Sequence, residues 1–163
     1  MSVSTTLTAL TSSDDPRMEE ARSLLLEYAQ SLDVDLAFQN FDQELAEFPA
    51  SYLPPGGALL LATREERLAG SVAMRGIDDK ICEMKRLYVR PEFRGTGVGR
   101  ELAVAIIHAA KGIGYGHMRL DTLPGMDDAQ GLYRILGFRE IAAYYDNPIP
   151  GTRYLELDLR SST

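Results

Sequence analysis

Hydrophobic residues recur along this chain at two spacings, one typical of strands and one typical of helices. Short runs of aliphatic and β-branched residues predict strands, and these runs are Val3–Leu10, Ala58–Thr63, Leu68–Met74, Ile81–Val89, Met118–Thr122, Phe138–Tyr144 and Tyr154–Leu159. Apolar residues three or four apart predict helices, which lie after Asp14-Asp15-Pro16, around Phe41–Phe48, from Val98 to Gly112 and over Asp127–Leu136. Strands and helices therefore mix along the chain, which indicates an α/β fold.

Short connections join consecutive strands in the middle of the chain. Residues 64–67 and 76–80 are links of hairpin length, so the second, third and fourth strands should form an antiparallel meander. The first strand is expected at a sheet edge. A chain of 163 residues with 45% hydrophobic residues has the size and composition of one globular domain. We expect a single domain over residues 1–160 and a frayed tail at residues 161–163.

The net charge of the chain disfavours some classes of binding partner. The 17 Lys and Arg residues are outnumbered by 24 Asp and Glu residues, which gives a formal net charge of −7. This acidic balance argues against a polycationic binder of nucleic acid or of a membrane surface. The first residues lack the basic and apolar regions of a signal peptide, and no apolar run approaches the roughly 18 residues of a membrane span. We therefore expect a cytoplasmic protein.

The chain contains one cysteine, Cys82, and two histidines, His108 and His117. A lone cysteine forms no intramolecular disulfide, and so few Cys and His residues make a metal site hard to assemble, so we expect no metal. Cys82 lies in the middle of a predicted strand, where a small buried thiol is favoured over the alternative of a Cys–His dyad. His108 falls off the apolar stripe of its helix and is expected to be exposed.

A strand, a glycine-rich turn and a helix follow one another between Leu87 and Arg100. Glycines allow an anion to approach the backbone closely, and a helix N-terminus presents free N–H groups, so an anion site is expected here. A dinucleotide-binding fingerprint does not fit, because Arg100 or Leu102 stands where its third glycine belongs. A P-loop does not fit either, because Arg-Glu follows Gly99. Glycines that merely turn the chain in an interaction module are the alternative.

Two motifs taken together indicate a protein family more specifically than the glycine-rich turn alone. The first is Arg94-x-x-Gly97-x-Gly99 after Leu87-Tyr88-Val89, and the second is Ala129-Gln130-Gly131-Leu132-Tyr133 followed by Leu136-Gly137-Phe138. This pair resembles the signatures of the GCN5-related N-acetyltransferase superfamily, in the expected order. Segments 82–89 and 119–122 are also similar to those of uncharacterised bacterial members. The resemblance spans nearly the whole chain and implies the superfamily fold, a central, mostly antiparallel sheet with splayed central strands flanked by helices.

The resemblance implies an enzyme that transfers the acetyl group of acetyl-CoA directly to an amine of a small molecule or a peptide. Backbone groups of the glycine turn would hold the CoA pyrophosphate, and the splayed strands would hold pantetheine. The implied cofactor-binding residues are Leu87, Tyr88, Val89, Arg94, Gly95, Thr96, Gly97, Val98, Gly99, Arg100, Thr122 and Tyr133. A non-catalytic acyl-CoA-binding or sensor domain on the same fold is the alternative. Relatives often dimerise through strand edges, which implies a homodimer.

Two residues are candidates for proton transfer. Tyr133 stands at the position of the superfamily's acid, which would protonate the leaving thiolate, and a core tyrosine is the alternative. Glu83 is the candidate base, because strand periodicity places Glu83, Lys85, Leu87 and Val89 on one face. The alternatives are a Glu83–Lys85 surface pair and a chain of water molecules that acts as the base.

Polar and aromatic residues mark two candidate walls for the acceptor. They are Phe38, Gln39 and Phe41 near the second helix and Tyr145 near the last strands, with Asp146 or Glu44 close by to attract a cationic amine. Aromatic core residues and solvated acids are the alternative. Met126 departs from the superfamily pattern, which often has Asn there, and the Asp127-Asp128 pair after it is expected to cap the helix.

Overall fold

The computed structural model describes residues 4–32 and 41–160. Its strands are β1 (Thr5–Ala9), β2 (Ala58–Arg64), β3 (Arg67–Gly76), β4 (Ile81–Val89), β5 (His117–Thr122), β6 (Arg139–Ile141) and β7 (Arg153–Asp158). Its helices are α1 (Met18–Ser31), α2 (Phe41–Glu47), α3 (Val98–Ile113) and α4 (Asp127–Ile135), with 3-10 turns at Ala50–Tyr52 and Pro91–Phe93. The predicted elements occur in the predicted order, but the strand expected over 138–144 is limited to β6. The expected frayed tail, 161–163, lies outside the described residues.

The strands of the described residues form one mixed sheet in the order β1-β2-β3-β4-β5-β7-β6. Neighbours from β1 to β4 are antiparallel, β4 and β5 are parallel, and β7 pairs antiparallel with both β5 and β6. The predicted meander and the edge position of β1 are confirmed. The sheet is mostly antiparallel and flanked by helices, which is the α/β fold that the sequence predicts.

The two central strands, β4 and β5, separate along their length. Their parallel ladder pairs Ile81 with His117, Cys82 with Met118 and Glu83 with Arg119. Beyond Glu83 and Arg119 the two strands no longer pair with each other, although β4 continues to Val89 and β5 to Thr122. The predicted splay is thereby confirmed. The facing backbone groups need other partners there, because buried N–H and C=O groups are costly to leave unsatisfied.

Helices cover both faces of the sheet. On one face, here called the α3 face, α3 and α4 contribute Leu102 and Tyr133 to the larger core. On the opposite face, the α1 face, Leu24 of α1 packs in a second core with Tyr88 of β4, and Phe41 of α2 extends this layer. Within residues 4–32 and 41–160, no helix combines the length and the apolar character needed to cross a membrane.

A bulge in β4 changes which side chains face α3. Arg86 has a left-handed backbone with a φ of 61°, and the register between β3 and β4 shifts beside it. The extra residue reverses the alternation of side chains along the rest of the strand. Leu87 and Val89 therefore pack against the core of the α3 face, whereas Glu83 and Lys85 point to the α1 face. The expectation that these four residues share one face is wrong, since strand periodicity assumes an unbroken ladder.

Cys82 and His108 lie where the sequence predicts. Cys82 is fully buried, its sulfur lies 3.6 Å from the carbonyl oxygen of His117, and burial raises the pKa of the thiol to about 12. A thiol with so high a pKa is not a nucleophile at neutral pH, which confirms the buried thiol over the Cys–His dyad. His108 is exposed on α3.

Candidate active site

A cavity of about 50 Å³ lies where β4 and β5 separate. Its lining comes from both faces of the sheet, since it includes Tyr133 of α4 and Tyr28 of α1. The complete lining is Tyr28, Met84, Lys85, Arg86, Leu87, Leu120, Asp121, Thr122, Leu123, Met126, Ala129 and Tyr133. The cavity is therefore lined from both the α3 face and the α1 face.

Tyr133 lies on α4 and lines this cavity. Its side chain is buried, and its ring packs edge-on against Phe138 with the ring centroids 5.6 Å apart. Its hydroxyl makes no hydrogen bond to any group of residues 4–32 or 41–160. Burial, with smaller contributions from Tyr28 and Asp121, raises the pKa of this hydroxyl. A buried donor without a partner is rare in proteins, and a ligand that enters the cavity would explain it.

The turn before α3 is an exposed loop with glycines in conformations that other residues rarely adopt. Gly95 and Gly97 have φ values of 79° and 93°. Gly97 precedes the first residue of α3, and within residues 4–32 and 41–160 no side chain caps the first N–H groups of that helix. Apart from its own atoms and those of its chain neighbours, neither glycine has a described atom within 4 Å of the position that a Cβ would take. The start of α3 therefore presents free N–H groups and the positive end of the helix dipole to an open surface, as an anion site requires.

The other turn residues predicted to bind the cofactor surround this helix start. Arg94, Thr96 and Arg100 are exposed, Gly99 is half-buried, and Val98 is buried in the core beneath them. The Nε of Arg94 donates a hydrogen bond of 3.1 Å to the last carbonyl of β4. Arg94 and Arg100 thus flank the turn in the sequence and add positive charge near the start of α3.

The residues predicted to bind the cofactor on β4 and β5 divide between the two faces. Leu87 lines the cavity, and Val89 packs on the α3 face. Thr122 at the end of β5 is 2% exposed and also lines the cavity. Tyr88 instead points to the α1 face, where its hydroxyl lies 3.5 Å from the carboxylate of Glu27. The Tyr88 side chain is therefore not part of the cavity.

Glu83 is buried and held by its neighbours. Arg75 contacts Glu83 Oε1 through Nε at 3.1 Å and Nη2 at 3.0 Å, and the Tyr144 hydroxyl donates to Oε2 at 2.6 Å. Lys85 Nζ lies 3.9 Å from Oε1, and both side chains are less than a tenth exposed. The alternative of a Glu83–Lys85 surface pair is therefore wrong. Glu83 does not line the cavity, so its carboxylate does not face the space where an amine would react.

The described acceptor residues lie on the α1 side of the site. The Tyr145 hydroxyl donates a hydrogen bond to Asp121 Oδ2. Phe41 is buried at the start of α2, and the guanidinium of Arg86 lies 5.5 Å from its ring centroid. Arg86 in turn donates to both carboxylate oxygens of Glu44, at 2.7 and 3.2 Å. Phe38 and Gln39 lie outside the described residues.

Met126 stands at the start of α4 and makes a weak polar contact. Its sulfur lies 3.9 Å from the hydroxyl of Thr122. Gln130 secures the preceding turn instead, because its side-chain amide donates to the carbonyl of Leu123 at 3.1 Å. The expected cap by the Asp127-Asp128 pair is not formed, since no side chain in the described part of the chain hydrogen bonds to the first N–H groups of α4. The pair still lies in the first turn, where negative charge favours the helix dipole.

Three charged residues of the cavity were not predicted as site residues: Lys85, Arg86 and Asp121. The predicted acids do not take this place, because Glu44 is paired with Arg86 and Asp146 is exposed. A signal for the missed residues is present in the sequence. The run Glu-Met-Lys-Arg at 83–86 puts charges in the middle of a strand that predicted strands flank, where charge is costly to bury without a purpose.

A larger groove of about 790 Å³ lies away from the motifs, between the second half of α3 and strands β6 and β7. Among the described residues, none of those predicted for the site lines it. The two described ranges contain no cluster of three or more Cys, His, Asp and Glu side chains placed to hold a metal ion. The chemistry that the motifs predict is therefore concentrated at the gap between β4 and β5.

Known proteins are similar to this chain in sequence and in fold. Residues 18–138 match the Acetyltransferase (GNAT) family. An uncharacterised N-acetyltransferase of Schizosaccharomyces pombe is 42% identical over 144 residues, which cover 87% of this chain and 88% of that protein. The N-acetylaspartate synthetase of Rattus norvegicus is 30% identical over 132 residues, 78% of this chain and 44% of that protein. A GNAT family acetyltransferase from Elizabethkingia anophelis, solved with acetyl-CoA bound, has a TM-score of 0.66 at 21% identity and covers 94% of this chain and 97% of its own.

A splayed sheet, an anion site at the start of α3 and a buried phenol in the gap together define a transferase that uses a CoA thioester. The chain belongs to the Acetyltransferase (GNAT) family. It is an acetyl-CoA-dependent N-acetyltransferase. Its relatives come from eukaryotes as well as bacteria, so the resemblance extends beyond the bacterial members.

Proposed function

We propose that an amine attacks the acetyl group of acetyl-CoA directly and that Tyr133 protonates the leaving thiolate. The buried Tyr133 hydroxyl, which has no partner among the described residues, is the observation that carries this proposal. A phenol with a raised pKa keeps its proton at neutral pH, so Tyr133 is present as a hydrogen-bond donor when the thiolate leaves. Burial raises the basicity of the thiolate as well, so the proton can pass to sulfur, and solvent water then returns a proton to Tyr133. Cys82 does not line the cavity, so nothing supports an acetylated cysteine on the way.

The turn and the gap support the placement of the cofactor. The free N–H groups at the start of α3, with Arg94 and Arg100 flanking the turn in the sequence, suit a pyrophosphate. The unpaired stretch of β4 around Leu87 and Val89, and Thr122 across the gap, suit the amides of pantetheine. Those amides would supply the hydrogen-bond partners that the separated strands lack. A thioester at the end of such a chain would enter the cavity that Tyr133 lines.

We also propose that water, rather than Glu83, carries away the proton of the acceptor's ammonium group. Glu83 is engaged by Arg75 and Tyr144 and is not part of the cavity lining. Asp121 does line the cavity and carries a negative charge that attracts an ammonium group from the α1 side. A small amine would fit this arrangement, and the name of the rat relative denotes the acetylation product of such an amine, an amino acid.

We expect saturating acetyl-CoA to raise the thermal unfolding midpoint by roughly 5–10 °C. A ligand at about 100 times its dissociation constant stabilises the folded state by about 2.7 kcal/mol. For a domain of this size, each 1 kcal/mol corresponds to about 2–4 °C. Differential scanning fluorimetry measures the shift, and ATP and NADH are the controls because they carry phosphates but no pantetheine.

Measuring the release of CoA thiol tests the transfer step of the proposed function. Direct transfer predicts thiol release only when an amine is present. A chain that binds acetyl-CoA but releases no thiol with any amine of a broad panel would be the non-catalytic sensor domain instead. If acetyl-CoA leaves the midpoint unchanged, the glycine turn is a chain reversal in an interaction module and the proposed cofactor site is wrong.

A cytoplasmic location and a homodimer stay predictions from the sequence. In the described part of the sheet, β1 and β6 form the two edges, and an edge strand offers unpaired backbone groups to a second copy. Light scattering after size-exclusion chromatography should give twice the chain mass of 18.0 kDa. A mass of one chain at working concentrations would contradict the homodimer.

A further inference from the structure

We propose that Lys85 binds a carboxylate of the acceptor, and that the acceptor is therefore an amino acid or a similar amine with an acidic group. This inference rests on the acetyl transfer proposed above. The Lys85 side chain is 9% exposed and lines the cavity together with Tyr133. Its ammonium group makes no hydrogen bond to any group of residues 4–32 or 41–160. A buried ammonium that lines a cavity without hydrogen-bond partners requires an acceptor group from a ligand.

Glu83 does not supply that partner. The distance of 3.9 Å between Lys85 Nζ and Glu83 Oε1 is beyond hydrogen-bond range. Arg75 already neutralises Glu83 through two contacts of 3.0 and 3.1 Å, and Tyr144 donates to its second oxygen. Glu83 therefore keeps its own partners whether or not Lys85 is charged. The charges of Glu83 and Asp121 favour the charged form of Lys85, but neither carboxylate accepts a hydrogen bond from its ammonium group.

The other charges around the cavity also favour an anion at Lys85. Arg86 is the second cation of the lining, but Glu44 pairs with it through both carboxylate oxygens. Burial and the neighbouring Arg86 lower the pKa of Lys85, and a bound carboxylate would oppose both effects. Asp121 is the acid among the lining residues and lies on the facing strand, β5. A zwitterion fits this arrangement, with its carboxylate at Lys85 and its ammonium group toward Asp121.

The test compares acceptors that differ only in a carboxylate. Leucine is paired with isopentylamine and ornithine with putrescine, and each pair is assayed by CoA release with the wild type, Lys85→Met and Lys80→Met. Lys80 is the matched control because its side chain is exposed in the turn between β3 and β4. For whichever pair contains the faster amino acid, we expect the wild-type kcat/KM for that amino acid to exceed the value for the matching amine by about 10- to 100-fold. This is the effect of a hydrogen bond between charged groups.

Lys85→Met should remove this selectivity and leave the fold intact. Methionine keeps the length and the packing of the side chain, and Glu83 retains Arg75 and Tyr144 as partners, so the unfolding midpoint should not fall. Acetyl-CoA should still raise that midpoint, which is a readout independent of turnover. We expect the KM for the amino acid to rise, the carboxylate-free amine to react as before, and the selectivity to approach one. Lys80→Met should retain the selectivity of the wild type.

Three results would overturn the inference while acetyl transfer itself stands. They are a wild-type preference for the carboxylate-free amines, unchanged selectivity in Lys85→Met, and an equal loss of activity toward both members of a pair. The last result would mean that Lys85 acts on the acetyl group. Failure to acetylate any amine, although acetyl-CoA binds, would contradict the proposed function as well as this inference.

Discussion

Tyr133→Phe is expected to lower kcat by about 100-fold or more, since a positioned general acid contributes about 10²–10⁴-fold. The substitution removes a buried, protonated phenol that lines the gap from the α3 face. The hydroxyl has no partner among the described residues, so its loss leaves no other group unpaired and should not lower the unfolding midpoint. Acetyl-CoA should still stabilise the variant, and CoA release at saturating amine measures kcat.

Tyr115→Phe is the control, and for it we expect a loss of stability without a loss of activity. The Tyr115 hydroxyl donates a hydrogen bond of 2.7 Å to the carbonyl of Gly56, away from the gap. Its loss should cost about 1 kcal/mol of stability and leave kcat unchanged. If Tyr133→Phe turns over at the wild-type rate, Tyr133 is a core residue and not the acid. If it loses stability and acetyl-CoA binding together with activity, the defect is structural.

The parts of the site that depend on local sequence follow directly from the chain. The glycine turn and the start of α3 are encoded within a few residues, because only glycine readily adopts the positive φ at Gly95 and Gly97. Helical spacing places Tyr133 on α4, whereas its role as the acid is implied by the resemblance of the motif around it. The anion site therefore follows from a short stretch of sequence and the phenol from the family motif, and the structure places Tyr133 on the gap.

The parts of the site that depend on contacts between residues far apart in the chain cannot be predicted from local sequence. The bulge at Arg86 is a property of the ladder between β3 and β4, and strand periodicity alone carries Glu83 to the wrong side of the sheet. Arg75 and Tyr144, which hold Glu83, come from other strands or loops, as Glu44 does for Arg86. Such contacts become visible only when the sheet order is known. The acceptor side of the site is built almost entirely from them.

Glu44→Ala should destabilise the protein by about 3–5 kcal/mol, because it leaves a buried charge without its partner. The Arg86 side chain is 6% exposed, and Glu44 contacts it with both carboxylate oxygens. For a chain of this size, the unfolding midpoint should fall by roughly 10 °C. Glu47→Ala on the same helix is the matched control, since Glu47 is exposed and its removal should change stability by less than about 0.5 kcal/mol.

The pH dependence of this loss tests whether the ion pair is its cause. Burial acts to raise the pKa of Glu44, but the hydrogen bonds and charge of Arg86 outweigh it and lower that pKa below its ordinary value of 4.5. The stability that Glu44 contributes is thus fully present above about pH 4.5 and is lost as the pH falls through the lower folded-state pKa. The difference in unfolding free energy between the wild type and Glu44→Ala should therefore shrink in acid.

Replacing both partners, Glu44→Leu with Arg86→Met, should recover most of the stability, because an apolar pair needs no compensating charge. A loss that is the same at all pH values, or a double variant as unstable as Glu44→Ala, would show that packing of α2 and not the ion pair holds this wall of the site.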